Sequence, residues 1–148
     1  MFPGASFCEW LTGSYWRFDA PTDELSIELA LEAIAPDVRE LLRDRVFYLS
    51  GTIDAERLAA RRAVEGTLCF KRLSEGQIRY RIRFFGIDGA RYELSGHKEW
   101  NGLAPLDSVT LLVAKLLDES DEEVGRATLR FDLRSDWLRF LRHLRLRL

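Results

Sequence analysis

The most reactive-looking stretch of the sequence is "LSGHKEW", Leu94–Trp100. Its four polar side chains could share a proton network for general acid–base chemistry: Ser95, His97, Lys98 and Glu99. Side chains of an extended chain alternate between two faces, so His97 and Glu99 share one face while Lys98 lies on the other. We therefore expect His97 to be a surface residue, and we keep an enzyme built around His97 and Glu99 as an alternative.

Familiar catalytic and cofactor signatures are absent from the chain. The sequence has no phosphate loop of the GxxxxGK[ST] type, no GxGxxG, no HExxH and no CxxC, which argues against nucleotide enzymes, zincins and thioredoxin-like proteins. A metal site would have to gather Cys8, Cys69, His97 and His143 without any paired spacing. We predict no metal, no cofactor and no catalytic residue, and we expect both cysteines to be reduced.

Length and composition indicate one soluble globular domain, 1–148. Hydrophobic residues make up 47% of the 148 residues and charged residues 31%, which is typical of a folded domain. The net charge of -2 gives no general attraction to nucleic acid or anionic membranes. No run approaches the roughly 18 apolar residues that would span a bilayer, and the amino end lacks the features of a signal peptide. We expect a cytoplasmic protein without a transmembrane segment.

The segment "IRYRIRFFGIDGARYEL" predicts a β-hairpin in a defined register. Apolar residues and arginines alternate with period two. A three-residue loop, 87–89, places Phe84 opposite Tyr92 and Arg79 opposite His97, with Gly89 in the left-handed position. The arginines then mark the solvent side of a strand. The alternative is a basic face for an acidic partner, formed by Arg79 and Arg81 together with Arg83.

Further strand-like runs give about eight strands joined by short links. They include "SYWRF", "LSIEL", "VFYLSGTI", "VEGTLCF", "VTLLVAKLL" and "VGRATLRFDL". This order predicts an all-β antiparallel meander that closes as a barrel, with a two-sheet β-sandwich as the alternative. Glycines in or beside the strands favour the barrel, because sharp barrel bends often require glycine: Gly51, Gly66, Gly86, Gly96 and Gly125.

Two segments have helical patterns. "APDVRELLRDRV" predicts one short internal helix, since Pro36 and Asp37 suit a first turn and Val38, Leu41 and Leu42 form a narrow apolar stripe. "SDWLRFLRHLRLRL" predicts a C-terminal amphipathic helix over 135–148. That helix could cover the barrel, or it could present Arg139 and Arg142 to an acidic partner or to anionic lipid headgroups.

The chain is rich in aromatic residues, most of which we expect in the core. A barrel of about eight strands is also wide enough to hold one small ligand. The candidate ligand-binding residues are Trp16, Tyr80, Phe84, Tyr92 and Trp100.

Several short motifs together resemble a known accessory module. They are "FCEWLTGSY", "LSGTIDAERLA" with "VEGTLCF", "IRYRIRFFGIDGARYELSGHKEW" and "LLVAKLLDESDEEVGRATLRFDL". In this order they resemble a β-rich module associated with bacterial glucose-methanol-choline oxidoreductases of the cholesterol-oxidase-like kind and with some α/β-hydrolase proteins. Lys98 and Gly125 match positions of that pattern. The resemblance implies a bacterial module whose partner enzyme carries the flavin or hydrolase machinery, and it brings no catalytic residue to this chain.

The combined prediction is a non-catalytic β module. It would bind an apolar, lipid- or sterol-like ligand, or assist an oxidoreductase or hydrolase that acts on such substrates. The alternative is a protein-interaction domain with a filled core that uses the basic face or the arginine-rich C-terminal helix.

Overall fold

The chain folds into a closed antiparallel β-barrel. The computed structural model describes residues 4–70, 77–99, 111–130 and 145–147. Their strands are β1 Gly4–Arg17, β2 Ala20–Ala35, β3 Val46–Ala55, β4 Ala59–Phe70, β5 Gln77–Phe85, β6 Arg91–Glu99, β7 Leu111–Leu117, β8 Glu123–Arg130 and β9 Arg145–Arg147. Consecutive strands pair from β1 to β8, and β1 also pairs with β8. The predicted eight-stranded barrel is confirmed, and the sandwich alternative is wrong.

Alternation of side chains builds the inner wall. Along β2, Leu25, Ile27 and Leu29 are buried, whereas the polar residues between them are exposed. The same alternation recurs in β5 and β7, and the apolar faces of β1 to β8 meet in one core. Burying one such side chain stabilises the fold by about 1.5–3 kcal/mol. A slip of one residue would turn a strand's apolar face to water, which fixes the register.

The β5–β6 hairpin has the predicted register. Phe84 pairs with Tyr92 and Arg79 pairs with His97. The loop is three residues long, because the Gly86 N–H donates to the Ala90 carbonyl. Gly89 has φ 79°, a conformation that glycine adopts without strain. The local sequence pattern therefore predicted this element correctly, including its turn.

Close strand contact explains one of the glycines. Gly51 in β3 has φ 152°, and a Cβ atom there would lie 1.9 Å from the carbonyl oxygen of Ala30 in β2. A side chain at this position would push the two paired strands apart. Gly51 is therefore required for the tight β2–β3 pairing that bends the barrel wall.

The predicted internal helix is confirmed as α1, Val38–Asp44. The Asp37 carboxylate caps it by accepting a hydrogen bond from the Arg39 N–H at 2.8 Å, and Arg45 ends it in the left-handed conformation. None of its residues is buried; Leu42 is 72% exposed. The expected apolar stripe therefore does not join the core, and α1 is a connection between β2 and β3. In the described part of the chain, no helix has the length and apolar character needed to cross a membrane.

The C-terminal helix predicted over 135–148 lies outside the described residues, apart from three positions. Arg145–Arg147 form β9, which pairs antiparallel with the first residues of β1. A helix is therefore not shown, and these three positions form a strand. The first residues of β1 lie beyond its pairing with β8, so their backbone groups on that side can pair with another strand. Residues 145–147 are extended because they pair there.

The barrel has two distinct ends. At the hairpin end, tight turns join β1 to β2, β3 to β4, β5 to β6 and β7 to β8. At the opposite end, called the α1 end, α1 joins β2 to β3, and β4, β6 and β8 reach their carboxyl ends. The two ends differ in the chemistry of the side chains that they enclose.

Candidate functional site

A buried polar network lies inside the barrel toward the α1 end. Lys98 Nζ is 2.9 Å from Glu9 Oε1 and 3.1 Å from the Tyr80 hydroxyl oxygen. The Tyr80 hydroxyl donates to Glu9 Oε2 at 2.7 Å. Lys98 Nζ also lies 4.9 Å from the centre of the Tyr80 ring, within the range of a cation–π contact. The three side chains therefore form a closed triangle of hydrogen bonds, called the polar triad below.

The polar triad is almost fully removed from solvent. Lys98 is 0% exposed, Tyr80 1% and Glu9 7%. Charged residues are rarely buried to this extent unless they are paired. Here the ion pair and its hydrogen bonds satisfy the groups, and among the described residues no buried side-chain nitrogen or oxygen lacks a partner.

Strand alternation explains how each member reaches the interior. In β6, Tyr92, Leu94 and Gly96 are buried at period two, and Lys98 continues this series. In β1, Glu9 precedes the buried Leu11 by two positions. Tyr80 belongs to the buried series of β5. The triad thus joins β1 to β5 and β6 across the interior.

Burial and charge keep the Tyr80 hydroxyl protonated. Desolvation raises the pKa of Tyr80 well above its ordinary value, and the Glu9 carboxylate raises this pKa further through its charge and its hydrogen bond. The phenol is thus a hydrogen-bond donor at neutral pH and not a nucleophile or base. This arrangement suits recognition by hydrogen bonding better than proton transfer.

Partly buried phenylalanines surround the interior near the triad. The ring centroids of Phe7 and Phe47 are 5.1 Å apart, with an edge-to-face angle of 78°. Those of Phe47 and Phe70 are 6.1 Å apart. The three residues pack against the core without being fully buried. Phe7 lies two positions from Glu9 in β1, so an aromatic layer adjoins the polar triad on the side of the α1 end.

The hairpin end is closed by packed side chains and hydrogen bonds. Leu58, from the β3–β4 turn, is 3% exposed, and its carbonyl accepts a hydrogen bond from the Ile87 N–H at 2.7 Å. The Tyr15 hydroxyl donates to the Glu56 carbonyl, and the Tyr92 hydroxyl donates to Asp88 at 2.7 Å. These contacts tie the turns together over the core.

The same contacts shift the pKa values of the titratable side chains at this closed end. Burial raises the pKa of Tyr15 to about 12. Burial also raises the pKa of Tyr92, to which the Asp88 hydrogen bond adds. The hydrogen bond from Tyr92 in turn lowers the pKa of the Asp88 carboxyl group. At neutral pH both phenols therefore remain donors and Asp88 an acceptor.

The predicted ligand-binding residues lie in different places. Tyr80 belongs to the polar triad. Phe84 and Tyr92 stack at 5.8 Å in the closed hairpin end. Trp16 alternates with the buried Tyr15 and pairs with the exposed Arg126, so it lies on the outer face. Trp100 lies outside the described residues.

The predicted partner-binding arginines lie on the outer face where they are described. Arg79 and Arg81 are exposed along β5. Arg81 forms a salt bridge of 3.2 Å with Glu93 in β6. His97 is exposed beside them, which confirms the expectation of a surface histidine and places it away from the interior. Arg139 and Arg142 lie outside the described residues.

Sequence reasoning missed the role of Glu9 and Lys98. The alternation of β6 placed Lys98 opposite to His97, and a period-two series through Leu11 places Glu9 on the inner face of β1. Those two signals were available in the sequence. The contact between Glu9 and Lys98 was not, because it depends on closure of the barrel.

Metal ligands do not cluster in the described part of the chain. In the described ranges, no group of three or more His, Cys, Asp or Glu side chains could hold a metal ion.

Comparison with known proteins leaves the site to be interpreted from its own chemistry. No family model, no curated protein and no solved structure matches this chain.

Proposed function

We propose that this protein binds an apolar small molecule inside the barrel, at the α1 end, and that it does so without catalysing a reaction. The observation that carries the proposal is the polar triad of Glu9, Tyr80 and Lys98 on an inner wall that is otherwise apolar. The triad would hold the polar group of the ligand, and the aromatic layer of Phe7 and Phe47 would contact its hydrocarbon part.

The energetics of burial support a role for the triad beyond stability. A buried ion pair is often no more stabilising than well-packed apolar residues of similar volume, because both charges lose their hydration. Glu9 and Lys98 therefore give the fold little that leucine or methionine could not give. Hydrogen-bonding groups set into an apolar wall are the usual means by which a cavity orients a ligand.

Small residues of β1 and β2 at the α1 end support the presence of space there. Ala5 of β1 pairs with Ala35 of β2, and Ala33 is a further small inner residue. An eight-stranded barrel has an interior just wide enough for one small ligand when such positions are small.

Mass spectrometry tests this proposal directly. Protein purified gently from cells would be measured under native and then denaturing conditions. We expect the native mass to exceed the denatured mass by that of an apolar molecule. A bare native mass, together with no binding of added long-chain alcohols or sterols, would contradict the proposal.

A matched pair of variants locates the ligand. The double substitution Glu9→Leu with Lys98→Met replaces the ion pair by apolar residues of similar size, and we expect the bound molecule to be lost or greatly reduced. Glu123→Gln alters an exposed ion pair with Arg126 on the outer surface and should leave the bound molecule in place. Equal retention in both proteins would place the ligand elsewhere.

The resemblance to oxidoreductase and hydrolase accessory modules supports a version of this proposal. In that version the barrel presents its ligand to a separate enzyme.

The exposed arginines of β5, Arg79 and Arg81, favour a second candidate function. In this second function the protein is an interaction domain for an acidic partner protein. Substituting serine for Arg79 would weaken such a complex and leave ligand binding unchanged, so the two functions are separable.

A further inference from the structure

We propose that the interior site selects uncharged ligands that carry a hydroxyl group, and that it rejects carboxylates, sulfates and phosphates. This inference rests on the proposed function and specifies the ligand class of the same site. It follows from the balance of charge within the triad and from the direction of its hydrogen bonds.

Charge balance is the first argument. A barrel that captures an acidic lipid needs a cation whose charge is available to the ligand. Here Lys98 Nζ is already 2.9 Å from the Glu9 carboxylate, so the pair carries no net charge. An anionic group that approached either Lys98 or the Tyr80 hydroxyl would also approach Glu9, since the three groups contact one another. In a site of low polarity such like-charge repulsion is poorly screened.

Hydrogen-bonding capacity is the second argument. A carboxylate has about four lone-pair positions on its two oxygens. Among the described residues, Glu9 Oε1 accepts from Lys98 and Glu9 Oε2 accepts from Tyr80. The remaining positions can accept from a ligand that donates an O–H. A ketone or an ester has no such proton, and a carboxylate has none either.

Position is the third argument. Glu9 is the member of the triad with the largest remaining exposure, 7% against 0% for Lys98. The residual exposure of the triad thus lies on its hydrogen-bond acceptor and not on its cation. This difference in exposure favours a hydroxyl donor over an anion.

Binding of chemically matched probes tests the inference. Wild-type protein would be titrated at about pH 8 with hexadecan-1-ol, hexadecan-2-one and hexadecanoate, and in parallel with cholesterol, cholestenone and cholesterol sulfate. In at least one series we expect the alcohol to bind most tightly, and the anion to bind at least about tenfold more weakly than the alcohol.

The substitution Glu9→Gln separates charge from size. The probes keep their dimensions in both proteins, whereas the negative charge of Glu9 is removed together with its ion pair to Lys98. We expect the affinity of the anion relative to that of the alcohol to rise at least about tenfold. If this variant does not fold, the ranking of the probes in the wild type decides the question.

The outcomes separate this inference from the function on which it rests. Binding of neither series would overturn both. An anion or a ketone that binds the wild type as tightly as the alcohol would overturn the inference and leave the function standing. An unchanged ratio in folded Glu9→Gln would mean that the probes are discriminated by size, which also overturns the inference.

Discussion

The ammonium group of Lys98 lies 2.9 Å from the carboxylate of Glu9, although the two residues are 89 positions apart in the sequence. They belong to β6 and β1, which are separated in the barrel wall by β7 and β8. The contact therefore crosses the interior. Because it exists only once the barrel has closed, it reports on both the fold and the candidate site.

Breaking this ion pair should destabilise the protein more than replacing it. We expect Glu9→Gln or Lys98→Met to lower the free energy of unfolding by about 3–5 kcal/mol, because each leaves a buried partner without its counter-charge. The combined Glu9→Leu and Lys98→Met variant should recover most of this loss. Urea unfolding followed by tryptophan fluorescence would measure all three variants.

An exposed ion pair provides the control for these three variants. Arg126 and Glu123 form a 2.7 Å contact on the outer surface, and Glu123→Gln should change the free energy of unfolding by less than about 1 kcal/mol. If the interior single variants were as mild as this control, the triad would not be the tightly coupled network that its geometry indicates.

Removal of the Tyr80 hydroxyl should have a smaller but measurable effect. Tyr80→Phe keeps the ring against Lys98 and removes the donor to Glu9 Oε2. We expect the free energy of unfolding to fall by about 1–3 kcal/mol, the usual cost of a buried acceptor that loses its partner. Tyr48→Phe is the matched control, since Tyr48 is 58% exposed; an equal loss in the two variants would argue against a role for the buried hydroxyl.

Local patterns were sufficient to predict the eight strands of the barrel and the register of the β5–β6 hairpin. The β5–β6 hairpin depends on alternation and on one three-residue turn, and both are encoded within about 17 consecutive residues. The short helix was also predictable, because Pro36 and Asp37 mark its start. Its apolar stripe was misleading, since tertiary context leaves Leu42 exposed instead of buried.

The candidate site was less predictable because it depends on distant contacts. Alternation places Lys98 on the inner face, yet its partner in β1 follows from barrel closure and strand tilt. Aromatic residues were a poor guide for the same reason: Tyr80 lies in the triad, but Phe84 and Tyr92 seal the opposite end. A charged residue on the apolar face of a strand would have been the better signal.

The tyrosines of the closed end and the triad should make the fold sensitive to alkaline pH. Burial raises the pKa of Tyr15 to about 12, whereas an unfolded tyrosine ionises near pH 10. Between these values the unfolded chain has lost the proton and the folded chain retains it, so the free energy of unfolding decreases as pH rises. Below about pH 10 this contribution to stability is fully present.

The variant Tyr15→Phe isolates that effect. It removes the hydrogen bond to the Glu56 carbonyl at every pH, so the informative quantity is the slope of the free energy of unfolding against pH. From about pH 10 to pH 12 we expect a shallower decline than in the wild type. Identical slopes would mean that the Tyr15 hydroxyl is not held in its protonated form by the fold.

Two glycines should differ in the cost of their substitution. At Gly51 a Cβ atom would overlap the Ala30 carbonyl oxygen, so we expect Gly51→Ala to destabilise the fold by about 2 kcal/mol or more. Gly89 has no atom within 4 Å of such a Cβ, and Gly89→Asn should cost less than about 1 kcal/mol because asparagine tolerates the left-handed conformation. Thermal unfolding of both variants would measure this, and similar losses would contradict the tight β2–β3 pairing.

The outer arginines should also differ from each other. Arg79 lies opposite His97 on the solvent side, and Arg79→Ser should change the free energy of unfolding by less than about 0.5 kcal/mol. Arg81 contacts Glu93, whose side chain is only 12% exposed, so Arg81→Ser should cost about 1 kcal/mol. Denaturant titration measures both, and neither substitution should alter ligand affinity if the site is inside the barrel. Weaker ligand binding in the folded Arg79→Ser protein would instead place recognition on the outer face of β5, where the basic surface and not the polar triad would contact the ligand.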